Sequence, residues 1–109
     1  MSINILYRDS KNEFTGPITN LNGEPIDVSD YVIRIELFQD GTTVSLSLGD
    51  GVEFVTDGTD GKITLMISMA RINQFCAGSL RVRCFNDAGG DPELFSEGTV
   101  SVEGRSFDA

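Results

Sequence analysis

Histidine and tryptophan are absent from this chain of 109 residues, and cysteine and proline are scarce, with two and three copies. Without histidine the commonest general base is missing, and a serine or cysteine nucleophile loses its usual proton acceptor. Two thiols with no imidazole do not compose a zinc or redox motif, so Cys76 and Cys84 are expected as free and mostly buried. Basic residues are also few: eight against seventeen acidic ones, for a formal charge of −9. That charge repels phosphate backbones and anionic membranes, so neither nucleic acid nor a membrane is an expected partner. The acidic residues are spread along the chain without a block, as a solvated surface requires. No stretch approaches the roughly 20 apolar residues of a membrane helix. Met1 to Glu13, which includes Arg8 and Lys11, has no apolar run of signal-peptide length. Synthesis in the cytoplasm and a soluble product are expected.

What the chain does have is glycine, twelve copies of it, punctuating short alternating runs. A domain of this length buries roughly 65% of the surface its unfolded chain exposes, so residues 1–109 are read as one domain. Tyr31 to Phe38 is the clearest strand: Tyr31, Ile33, Ile35 and Leu37 share one face, and Arg34 and Glu36 the other. Asp40 and Gly41 tolerate positive φ and end it, and Val44 to Leu48 returns as a hairpin arm. Further strands are expected at Ile3 to Tyr7, Glu13 to Ile18, Val52 to Val55, Lys62 to Ser68, Leu80 to Phe85 and Leu94 to Val102, with turns at Asn22 to Pro25, Gly49 to Gly51, Asp57 to Gly61 and Asn86 to Pro92. Ser68 is placed to cap one helical turn over Met69 to Phe75, and Gly78 to end it in a left-handed conformation. The pattern predicts an all-β, immunoglobulin-like antiparallel β-sandwich of about 7–8 strands with one short helical turn.

Nothing in these residues composes an active site. Asp57 with Asp60, and Asp87 with Asp91, sit in turns where aspartate is favoured for conformational reasons alone. Asp57 to Gly61 imitates a calcium loop, but its twelfth position is Ser68 rather than an acidic residue. Gly49 to Gly51 lacks the lysine and the helix of a phosphate loop. No enzyme activity, cofactor or metal is expected. A sugar-binding role calls for exposed aromatic platforms, and the chain offers only Tyr7 and Tyr31 among its large hydroxylated or indole rings. The candidate interface residues are instead Phe38, Phe85 and Phe95. Phe38 and Phe85 share the parity of charged residues in their strands, and Phe95 lies opposite the face of Val100 and Val102 unless a bulge intervenes. Such aromatics mark a subunit or partner contact if exposed, and a covered second layer otherwise.

The order of signals carries a resemblance. Asp9, then Asn22-Gly23-Glu24-Pro25-Ile26-Asp27-Val28, then the Tyr31 to Phe38 strand resembles the opening of phage immunoglobulin-like modules, such as the N-terminal domain of baseplate upper proteins. The second half matches too, in Asp60-Gly61-Lys62-Ile63-Thr64-Leu65, a helical turn, Ala77-Gly78 before a strand, and Glu97-Gly98-Thr99-Val100-Ser101-Val102. The chain departs from the family pattern where Arg8 and Ser10 flank Asp9, and where Ser79 and Leu80 follow Gly78. Gly23 and Gly61 suit turns, and Gly98 a bulge or close strand approach.

The resemblance implies a minor virion structural protein. It would dock onto other phage structural proteins, decorating the capsid or joining a fibre or tail component to the particle. A homo-oligomer or a symmetric multi-copy assembly is the matching expectation. Baseplate upper proteins continue into a stalk that carries receptor-binding subunits, and the likeness here is to the docking module. The rival expectations are a host-surface module binding a glycan or protein receptor, and an enzyme or enzyme accessory with carboxylates clustered around a pocket.

Overall fold

The computed structural model describes residues 5–20 and 22–104. In chain order these form β1 (Ile5–Tyr7), β2 (Asn12–Pro17), β3 (Ile33–Gln39), β4 (Thr42–Leu48), β5 (Gly51–Phe54), β6 (Lys62–Ile67), the single turn of helix α1 (Met69–Ile72), β7 (Gly78–Asn86) and β8 (Glu93–Glu103). The all-β class and the strand positions follow the alternation in the sequence. Ile3, in the first expected strand, lies outside the described residues.

Apolar residues at every second position drive the layout. Ile33, Ile35 and Leu37 of β3, Ile63, Leu65 and Ile67 of β6, and Leu46, Val52 and Leu80 from neighbouring strands are all buried in one cluster. Burying each such side chain is worth about 1.5–3 kcal/mol. The β3–β4 hairpin closes through Asp40 at φ 46° and Gly41 at φ 85°, the two consecutive positive values that a tight two-residue turn demands. Gly61 is equally constrained: at φ 74°, an added Cβ would lie 2.5 Å from the carbonyl oxygen of Ile26.

The strands hydrogen-bond in the order β1-β8-β7-β3-β4-β5-β6-β2. The expectation of purely antiparallel pairing needs correction, because β1 runs parallel to β8 and β4 parallel to β5. The second case comes from Gly49 and Gly51, at φ 84° and 96°, which let the chain loop through Asp50 and rejoin itself in the same direction. That contact joins only Ser47 with Gly51 and Leu48 with Val52, and so divides the order into a five-stranded half, β1 to β4, and a three-stranded half, β5 to β2. Arg71 of α1 clamps the junction through both carboxylate oxygens of Asp50, at 2.9 and 2.8 Å.

The two end strands of the order are tied together by a side chain. Asn12 accepts from the Tyr7 N–H at 3.0 Å and donates to the Tyr7 carbonyl at 2.9 Å, imitating a rung of backbone ladder where the sheet nearly closes on itself. Helix α1 is capped by Ser68 as expected, but it ends at Asn73 in a right-handed conformation. Gly78 therefore does not cap it. At φ 136° it opens β7 instead.

Candidate interaction surface

The outward residues of the five-stranded half fall into cross-strand rows. Pairing aligns Phe38 with Thr43 and Arg81, Glu36 with Ser45 and Arg83, and Arg34 with Ser47 and Phe85. On the far side of β7, Arg81 meets Thr99, Arg83 meets Glu97, and Phe85 meets Leu94. Val32 continues the outward parity of β3 beyond Arg34, and Val32, Phe38 and Leu94 are all exposed. The face thus has an apolar group at each end and a charged band between them.

Arg34 organises one end. Its Nε donates to Asp87 Oδ2 at 2.9 Å, and its Nη1 pairs with Glu36. Its guanidinium carbon sits 4.3 Å from the centre of the Phe85 ring. The hydrogen bond to Asp87 outweighs the desolvation that opposes it and, with Glu36, holds the Arg34 pKa above the ordinary arginine value. A cation stacked on a ring in this way contributes about 0.5–1 kcal/mol. Arg83 and Glu97 are 3.9 Å apart, too far for a hydrogen bond, and the Arg83 Nε is buried without a partner.

The three candidate phenylalanines go to three environments. Phe38 is outward and 41% exposed. Phe85 is outward but half-buried beneath Arg34. Phe95 packs against the core, and its ring meets that of Tyr31 in a T-shaped arrangement at a centroid distance of 5.2 Å. The reason is a bulge: Cys84 pairs with Ser96 but Phe85 with Leu94, so Phe95 is the extra residue and turns inward. The bulge displaces the parity at Leu94, not at Gly98, which pairs regularly with Val82.

The acidic turns are conformational devices. Asp57 accepts from the N–H and hydroxyl of Thr59 at 3.0 and 2.7 Å, and Asp27 does the same for Ser29. These bonds, the hydroxyl first, hold both carboxyls below the usual aspartate range. Among the described residues no three His, Cys, Asp or Glu side chains gather in an arrangement fit for a metal ion. No helix of the described residues is long and apolar enough to cross a membrane. Both cysteines are free, but Cys76 is exposed rather than buried. Cys84 is half-buried, and desolvation pushes its thiol up to about 11.

Sequence reasoning missed the amide clamps. Besides Asn12, the Gln39 side chain donates to the carbonyls of Cys76 and Ser79 and accepts from the Cys76 N–H, fixing the approach to β7. Asn73 holds Asp9, which has φ 61°, through its N–H at 2.8 Å and its carboxylate at 3.2 Å. A visible signal existed only for Asn12, a polar residue on the inward parity of its strand.

No family model matches the chain, and no curated protein does. Among solved structures, a candidate glycoside hydrolase from Bacteroides vulgatus ATCC 8482 matches 96% of this chain with a TM-score of 0.55 and 9% identity. This chain spans only 17% of that protein's length. The N-terminal domain of phage TP901-1 ORF48 matches 96% of this chain and 86% of its own, with a TM-score of 0.60 and 16% identity. At these identities the likeness is one of fold: the chain has the all-β fold of a phage protein's N-terminal domain.

Proposed function

We propose that this chain is a non-enzymatic docking module of a bacteriophage particle, a minor virion protein that binds other phage structural proteins. The observation that carries the reading is the end-to-end likeness to the phage ORF48 domain, which covers 86% of that domain against 17% of the hydrolase. The family resemblance in the order of its turns and strands points the same way. Its fold is read as a variant of the immunoglobulin-like sandwich, with the two halves as its layers. The core supplies rigidity, and the outward face of β3 and β7, with Phe38 and the Arg34-covered Phe85, supplies the contact. Exposed aromatics and arginines of this kind are enriched where proteins meet. Symmetric copies, as capsid decoration or at a fibre or tail attachment, convert weak single contacts into firm attachment.

The test is the protein composition of gradient-purified particles by quantitative mass spectrometry. The module is expected at a fixed copy number relative to the major structural proteins, retained through high-salt washing. Its absence from purified particles overturns the proposal.

A further inference from the structure

Asn22 precedes Gly23 in an exposed turn, and no described residue bonds the Asn22 side chain. The other asparagines of the described residues are engaged. Asn12 is clamped on Tyr7 and Asn73 on Asp9, and Asn86 Oδ1 accepts the N–H groups of Val32 and Ala88, each at 3.0 Å. Asn20 Oδ1 accepts the N–H groups of Asn22 and Glu24 at 2.9 and 3.1 Å. Each of those four also precedes a residue with a side chain.

The side-chain carbonyl of an asparagine lies a five-membered ring away from the nitrogen of the next residue. A Cβ on that next residue hinders ring closure, and glycine has none. Beyond its two chain neighbours, nothing lies within 4 Å of where a Gly23 Cβ would stand, so no other group obstructs the ring. Asp40, Asp50, Asp57 and Asp60 also precede glycines, but a carboxylate is a poor electrophile beside a neutral amide.

The turn also holds the reaction back. The Gly23 N–H donates to the Asn20 carbonyl at 3.0 Å, and the nitrogen must leave that bond before it loses its proton and attacks. Asn20 ties the same turn through the two bonds of its Oδ1, so its side chain governs how often the turn opens.

We propose that Asn22 is a site of spontaneous, enzyme-free modification, converting through a cyclic imide to aspartate and isoaspartate at a pace set by Asn20. The deprotonated Gly23 nitrogen bonds to Asn22 Cγ, the Cγ–Nδ2 bond breaks, and the nitrogen departs as ammonia after taking up a proton. Water then opens the imide: attack at Cγ gives aspartate, and attack at the main-chain carbonyl gives isoaspartate. Either product adds a negative charge. Isoaspartate also lengthens the main chain by a methylene inside the loop that the Ile26 N–H closes on the Ile18 carbonyl at 3.1 Å. None of this depends on the docking reading.

The test incubates the folded full chain at two mildly alkaline pH values and follows it by peptide mass spectrometry, with isoaspartyl methyltransferase labelling to identify isoaspartate. Conversion is expected at Asn22 ahead of Asn12, Asn20, Asn73 and Asn86. It should be faster at the higher pH, and slower than in the same chain unfolded in guanidinium chloride. Asn20→Ala, which removes the acceptor of two N–H groups, should speed conversion roughly fivefold to tenfold, and Asn20→Asp, which keeps an acceptor, by no more than about twofold. The proposal is overturned if Asn22 stays unconverted while the unfolded chain reacts, or if any of the other four converts first. It is equally overturned if the rate ignores pH, or if Asn20→Ala leaves it unchanged.

Discussion

The two halves of the molecule are alike inside and unlike outside. Each contributes a strand with three successive buried aliphatic residues, Ile33, Ile35 and Leu37 in β3, and Ile63, Leu65 and Ile67 in β6. On the outward side the five-stranded half carries the Arg34, Glu36 and Asp87 cluster with Phe38, Phe85 and Leu94 around it. The three-stranded half answers with Thr15 against Thr64, hydroxyl to hydroxyl at 3.1 Å, beside Glu53 and Met66. Folding needs the inward residues of both halves, whereas neither outward set is required to form a sheet. The outward surface of the five-stranded half is the richer in arginine and aromatic side chains, which is why the proposed docking function puts the contact there.

The largest expected effect tests the internal likeness. Ile35→Ala and Leu65→Ala should each lower unfolding free energy in denaturant titration by about 2–5 kcal/mol. Loss in one variant with a silent other would break the equivalence of the halves. Asn12→Ala, which removes the link between their ends, should cost less, about 1–3 kcal/mol, because it strands the Tyr7 N–H and carbonyl. Asn12→Asp should be destabilising too, as a carboxylate cannot donate to that carbonyl.

Cys84 provides a smaller, pH-dependent probe of the five-stranded half. Its folded thiol titrates at about 11, above the ordinary value of 9.0, because burial disfavours the thiolate. The folded state then holds a proton that the unfolded state has lost, so stability falls as pH rises from about 9 through 11. Cys84→Ala should flatten that part of the stability–pH profile, and an unchanged slope would refute the assignment. Smallest of all in stability terms, Phe38→Ser should change unfolding free energy by no more than about 0.5 kcal/mol. The same variant should nonetheless reduce incorporation into particles. Thr64→Ser, on the other face, should alter neither.

Alternation made the strands legible because each half-buried strand writes its own period of two, and the Asp40–Gly41 hairpin was legible because positive φ selects those residues. The parallel pairings were not, since a two-residue link through Gly49 and Asp50 looks like any antiparallel turn in sequence. Phe38 is outward, as its parity with Arg34 and Glu36 predicts. Phe95 could not be placed, because a bulge shifts parity without leaving a residue signature. A glycine near a helix end fits a local capping pattern, which is what the sequence around Gly78 predicts, while its role at the start of β7 depends on tertiary placement. The arginine stacked on Phe85 depends on the register between β3 and β7, which is set by the whole sheet and not by either strand alone.

The most direct measurement of the central claim is a cryo-EM reconstruction of particles with and without this protein, seeking difference density of 11.8 kDa per copy. The predicted result is density at defined sites on the capsid, tail or fibre base, with the five-stranded half turned toward its neighbour. Absence of any difference, or attachment through the threonine-bearing face of the three-stranded half, would contradict the account.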